Sequence, residues 1–138
     1  MRHTLIPAVY VIFKRQDQIL FLRRYNTGYA DGMLTPVAGH VEEHEHYSAA
    51  AVREAAEEVG VSISPDQLKP FHIMHRVFND QTDRADVFFL VEHWLGEPFN
   101  NEPEKCSELV WCRYNELTGD VLPYVKMGLE LGFAGGLS

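Results

Sequence analysis

Basic residues are scarce in this chain of 138: Lys and Arg number 12 against 20 Asp and Glu, a net charge of −8. That balance argues against broad, sequence-blind affinity for nucleic acid polymers or anionic membranes. A small nucleotide stays admissible, because a bound metal can invert the local field. Cysteine is nearly absent: Cys106 and Cys112 are too few and too irregularly spaced for a disulfide scaffold or a zinc site. No apolar run approaches a membrane span, the N-terminus shows no signal-peptide pattern, and no repeat or low-complexity tract interrupts the chain. The expectation is one cytoplasmic domain over residues 1–138, with 46% apolar residues and enough length to bury a core.

Ile6 to Phe13 and Ile19 to Tyr25 are rich in β-branched and aromatic residues, and the polar run between them predicts a hairpin. Asn26 to Gly32 reads as a loop, and Leu34 to Ala38 as a brief strand interrupted by Pro36. A helix is expected from about His46–Ser48 to a C-terminal cap at Gly60. Strands are expected over Leu68–Phe78, Asp86–Trp94 and Leu109–Cys112, with the near-continuous apolar run in the second predicting cover on both faces. Gly96–Glu104 is a long surface or functional loop, and Val121–Leu131 a closing helix packed through Leu122, Val125 and Leu129. Strands around an amphipathic helix, with another helix at the end, predict an α/β fold with a mixed sheet.

The informative stretch is the helix. Glu54, Glu57 and Glu58 stand at i, i+3 and i+4, so their side chains leave from one face. Ala49, Val52, Ala56 and Val59 are expected to point the other way, onto the sheet, while Ala50 and Ala51 let the preceding loop pack closely. Gathered carboxylates repel unless they share a cation, and Mg²⁺ takes carboxylate oxygens together with phosphate oxygens of a substrate. The alternative is a solvated acidic face. A pair between Glu45 and Arg53 would tie the loop to the helix and hold the acids in place. Zinc at His40, His44 and His46 is disfavoured by ligand type and spacing.

These residues carry a resemblance. Gly39, Glu45, Arg53, Glu54, Glu57, Glu58, Gly60 and Val61 match every fixed position of the pattern G-x5-E-x7-R-E-U-x-E-E-x-G-U, with Ala55 at the first U. The chain therefore resembles the nudix hydrolases. The resemblance implies an α/β/α sandwich and hydrolysis of a nucleoside diphosphate linked to another group. It also implies Mg²⁺, for which Mn²⁺ can substitute, held by Glu54, Glu57, Glu58 and the Gly39 carbonyl. His44 departs from the glycine usual before the loop glutamate.

Outside the motif the chain resembles MutT-type nudix enzymes. By that resemblance Glu102 is a late acidic residue near the metals, and Arg24, fifteen residues before Gly39, contacts substrate phosphate, with Arg23 beside it. Solvated alternatives stand for all three. The base-reading asparagine of those enzymes has no counterpart in Asp120–Pro123, so a preference for oxidised guanine is not implied. The expected reaction is attack of water on an internal phosphorus of a nucleoside triphosphate, releasing nucleoside monophosphate and pyrophosphate, with magnesium lowering the water's pKa. Rival readings are another nudix substrate (a nucleotide sugar, a dinucleoside polyphosphate, a pterin triphosphate or a capped RNA) and a non-catalytic nucleotide sensor.

Overall fold

Alternation along Ile6–Arg15 sets the architecture, because the stretch is apolar on both faces and must be covered on both. The computed structural model describes residues 2–135. In chain order it has β1 (Ile6–Arg15), β2 (Gln18–Arg24), β3 (Leu34–Thr35), β4 (Val37–His40), α1 (Tyr47–Val59), β5 (Lys69–Arg76), β6 (Arg84–Val91), β7 (Cys106–Arg113) and α2 (Pro123–Ala134), with a 3₁₀ turn at Pro65–Gln67. One edge of β1 pairs in parallel with β6, from Ile6↔Arg84 to Phe13↔Val91. Its other edge is shared: β4 pairs antiparallel with Ala8–Val11, and β2 pairs with the final residues of the strand. Beyond β6 lies β5, while β2 pairs with both β3 and β7, all antiparallel.

Val9, Val11 and Phe13 point to the layer capped by α1, with Leu20, Leu22 and Val37 beside them. Ala8, Tyr10 and Ile12 point to the opposite layer, with Ile19, Phe21, Phe88 and Leu90. There α2 supplies Val125 and Leu129, and Leu122 caps it. The result is the expected mixed-sheet α/β/α sandwich. No helix among the described residues is long and apolar enough to cross a membrane.

Element limits differ in instructive ways. The stretch expected as one strand at Leu34–Ala38 is two, because Pro36 cannot donate to a ladder and the chain changes neighbour there. The third and fourth long strands end earlier than expected, at Arg76 and Val91, and β7 starts earlier, at Cys106. The buried face of α1 is only in part the expected one: Val59 is buried and Val52 packs against the core, as expected. Ala49 and Ala56 are exposed, whereas Ala50, Ala51, Ala55 and Val59 are fully buried.

Close approach of α2 to the sheet depends on Gly128, where a Cβ would lie 2.6 Å from Phe88 Cζ. Phe88 is fully buried and stacked on Tyr10, with ring centroids 4.6 Å apart, so it has no room to yield. Gly128→Val is expected to lower stability by about 1–3 kcal/mol through overpacking. Urea unfolding checks this, and a stability at or above the parent would contradict the packing described.

Candidate active site

At about 100° per residue, Ala50, Glu54, Glu58, Ala51, Ala55 and Val59 follow one another around an arc of about 180° on α1. That arc faces the sheet, so Glu54 and Glu58 lie on the buried side, between alanines, over Ala38 and Gly39 of β4. Both carboxylates are partly buried, while Glu57, at the margin, is exposed. Small residues on both partners make the approach possible: a Cβ on Gly39 would collide with the Glu54 carboxylate. Burial and the adjacent Glu54 carboxylate push the Glu58 carboxyl well above its usual range. The Ala38 N–H donates to it at 3.5 Å.

The end of α1 places a further acid. Gly60, with φ +67°, closes the helix: its N–H donates to Ala56 O at 3.1 Å, and the Val61 N–H to Ala55 O at 3.3 Å. The loop after Gly96 then docks on the remaining carbonyls. Phe99 N–H donates to Val59 O and Asn101 N–H to Glu58 O, while Asn101 Nδ2 donates to Ala56 O and Glu57 O. This delivers Glu102 to the same cleft, of about 300 Å³, lined by Glu54, Glu57, Glu58, Gly39, Arg24 and Lys105 among others. Desolvation, with help from Glu104, Glu54 and Glu57, pushes the Glu102 carboxyl up.

Arg53 balances part of this charge. Its Nε and Nη2 donate to the two oxygens of Glu45 at 2.8 and 3.0 Å. Nη1 donates to Glu54 Oε1 at 2.7 Å and Glu57 Oε2 at 3.3 Å, and Nη2 also reaches the His40 carbonyl at 3.1 Å. At about 100° per residue Arg53 stands outside the arc of the three glutamates, but the length of its side chain carries the guanidinium back across to Glu54 and Glu57. Glu45 also accepts from Glu42 N–H at 2.9 Å, so one carboxylate closes the loop and holds the arginine. His44, the departure from the glycine pattern, sits in this loop at φ +64°, the left-handed region that favours glycine.

Adjacent strand residues face opposite ways, and the two candidate phosphate-binding arginines separate accordingly. Arg24 lines the cleft, held by Tyr29 O at 2.7 Å and Thr27 Oγ1 at 3.0 Å. Arg23 is not among the residues lining the cleft. It donates to Glu108 at 2.7 Å, Asp120 at 2.9 Å and Gly32 O at 2.8 Å, a structural role between β2, β7 and the segment before α2. Sequence reasoning missed Thr35, Ala38 and Lys105 of the cleft, which carry no signal of their own.

Four carboxylates line this cleft, Glu54, Glu57, Glu58 and Glu102, and oxygen ligands of that kind suit a hard divalent cation such as Mg²⁺ or Mn²⁺. The crowding of Glu54, Glu58 and Glu102, with two of the three carboxyls pushed up, is what a cation would relieve. The residues present fit the group.

Such a helix, with its acids under a docked loop on an α/β/α sandwich, defines a class. A family model described as the NUDIX domain matches residues 4–128. The chain is 34% identical over 95 residues to the 8-oxo-dGTP diphosphatase of Escherichia coli, covering 69% of this chain and 71% of that protein. It is 29% identical over 113 residues to the NAD-capped RNA hydrolase NudC of Photobacterium profundum, covering 80% of this chain. The matched stretch spans only 39% of the length of that NudC. The MutT NUDIX hydrolase from Burkholderia pseudomallei has the same fold, with a TM-score of 0.82 at 19% identity over 93% of this chain and 98% of its own. The MutT protein from Methanosarcina mazei Go1 also superposes with a TM-score of 0.82, at 16% identity over 98% of this chain and 97% of its own. The chain belongs to the NUDIX family.

The ion pair makes a pH prediction. Arg53 holds the Glu45 carboxyl at about 2, below its usual 4.5. As pH falls below 4.5 the unfolded chain takes up this proton before the folded one does, so the stabilisation is complete above 4.5 and drains away towards 2. Urea unfolding across that window should show Glu45→Gln flattening the acid limb. A limb as steep as the parent's would contradict the pairing.

Proposed function

We propose that the chain hydrolyses an internal phosphoanhydride of a nucleoside triphosphate, releasing nucleoside monophosphate and pyrophosphate. The observation that carries this reading is the convergence of Glu54, Glu57, Glu58 and Glu102 on one cleft with Arg24 at its wall. Four acids alone would repel a polyphosphate, so the arrangement makes sense with a divalent cation between them. Glu54, Glu57, Glu58 and the Gly39 carbonyl would hold that cation. When bound, it lowers the pKa of water and offsets negative charge on the phosphate oxygens.

The chain's own residues do the rest. Arg24 presents a fixed, permanently charged guanidinium to phosphate oxygens, its position set by Tyr29 O and Thr27. Glu102, raised by burial, takes the proton of the attacking water. Glu45 and Arg53 position the acids without touching substrate. The likeness to the Escherichia coli diphosphatase supports a triphosphate. The likeness to a NudC favours a second reading, a dinucleotide pyrophosphate of the NAD type.

A panel of nucleoside triphosphates and dinucleotides with Mg²⁺, scored for pyrophosphate, orthophosphate and nucleoside monophosphates, decides between them, because a dinucleotide releases two monophosphates and no inorganic product. Pyrophosphate and nucleoside monophosphate are the expected products, with kcat falling about 100-fold or more in Glu57→Gln. Orthophosphate alone, or near-parental turnover by that variant, would sink the proposal.

A further inference from the structure

Beside the carboxylate cleft lies a second cavity of about 360 Å³. Arg24, Thr35, Ala38 and Gly39 line both, so a ligand with phosphates over the glutamates can extend into it. Its lining includes Arg76 of β5, with Phe78 just beyond that strand, Tyr10 of β1 and Tyr124 of α2. Arg76 is held on two sides. Its Nε donates to Asp86 Oδ2 at 2.6 Å, and Nη2 lies 3.4 Å from both Asp86 Oδ1 and the Tyr10 hydroxyl. The guanidinium carbon also sits 3.7 Å from the centroid of the Tyr124 ring. Asp86 is fully buried, and Tyr10 stacks on Phe88, so the frame around Arg76 is packed.

Nη1 is left over. It makes no hydrogen bond to a described residue, and among those residues no buried side-chain nitrogen or oxygen lacks a partner. Nη1 is therefore accessible, on a side chain that lines the cavity. A guanidinium only donates, so a group fixed in this way selects acceptors and gives nothing to amino groups or bare ring carbons. Flanking aromatic rings suit a flat heterocycle.

We propose that this cavity receives the base of the substrate nucleotide and that Arg76 Nη1 reads a ring carbonyl oxygen, making oxo-bases the preferred class. The inference rests on the pyrophosphohydrolase reading above only for taking the occupant to be a nucleoside, and its test uses binding without metal or turnover. Two matched pairs of nucleosides, without phosphate, isolate the oxygen: inosine against purine riboside, and uridine against its analogue lacking the 4-oxo group. Calorimetric titration should show the carbonyl member of at least one pair bound about tenfold or more tightly. Arg76→Lys keeps a charge facing Asp86 but lacks the planar fork, and should bring that preference to within about twofold. Should Arg76→Lys fail to fold, Arg76→Met combined with Asp86→Asn removes the donor without stranding a buried carboxylate, and the same loss is expected. Equal binding in both pairs, no binding of any of the four, or a preference that survives in the folded variant overturns the inference. Hydrolysis without base preference would sink this proposal alone, and binding preference without hydrolysis would sink only the reading of function.

Discussion

Two carboxylates on the sheet-facing arc of α1 impose the constraint around which the rest is arranged. Glu54 and Glu58 alternate there with Ala50, Ala51 and Ala55, so the helix cannot bury its apolar side without taking the acids along. Burying charge is costly unless it is paired, hydrogen-bonded or coordinated. The opposing strand offers Ala38 and Gly39, small enough for the side chains to fit. Larger residues on either partner would lift the helix and dissolve the cleft.

Arg53 supplies the protein's own share of the compensation, and it does so while bound to Glu45, His40 O, Glu54 and Glu57 together. One side chain thus couples the loop after β4 to the acids. The far end of α1 is treated in the same economical way. Gly60 turns the chain, and the loop carrying Phe99 and Asn101 satisfies the last carbonyls of the helix. Capping the helix and delivering Glu102 are therefore one structural event. A change in the cap would be felt in the cleft.

Periodicity made much of this legible. The helix limits at His46 and Gly60, the β1–β2 hairpin and the two-faced cover of β6 all follow from local pattern, and Glu54, Glu57 and Glu58 were placed by spacing alone. The direction of the α1 face was not, because alanine is neutral in a hydrophobic pattern and Ala49 and Ala56 look as apolar as Ala51 and Ala55. Arg23 and Arg24 could have been told apart by strand alternation, but the partners of Arg23, Glu108 and Asp120, become visible only when β2 and β7 pair. Arg76, Asp86 and Tyr124 left no trace in the sequence reading. They are brought together by the β5–β6 ladder and the docking of α2, contacts between segments with no shared motif.

The chemistry of this cleft turns on whether the inward-facing acids hold a divalent cation. Titration of the metal-free protein with Mn²⁺, followed by the electron paramagnetic resonance of the free ion, addresses this without any substrate. Saturable uptake by the parent chain is predicted, weakened at least about tenfold when Glu57→Gln and Glu58→Gln are combined. The melting temperature of that metal-free double variant should rise, because Arg53 reaches Glu54 and Glu57 but makes no bond to Glu58, leaving part of the repulsion uncompensated. Unchanged uptake by the folded variant would contradict the central claim.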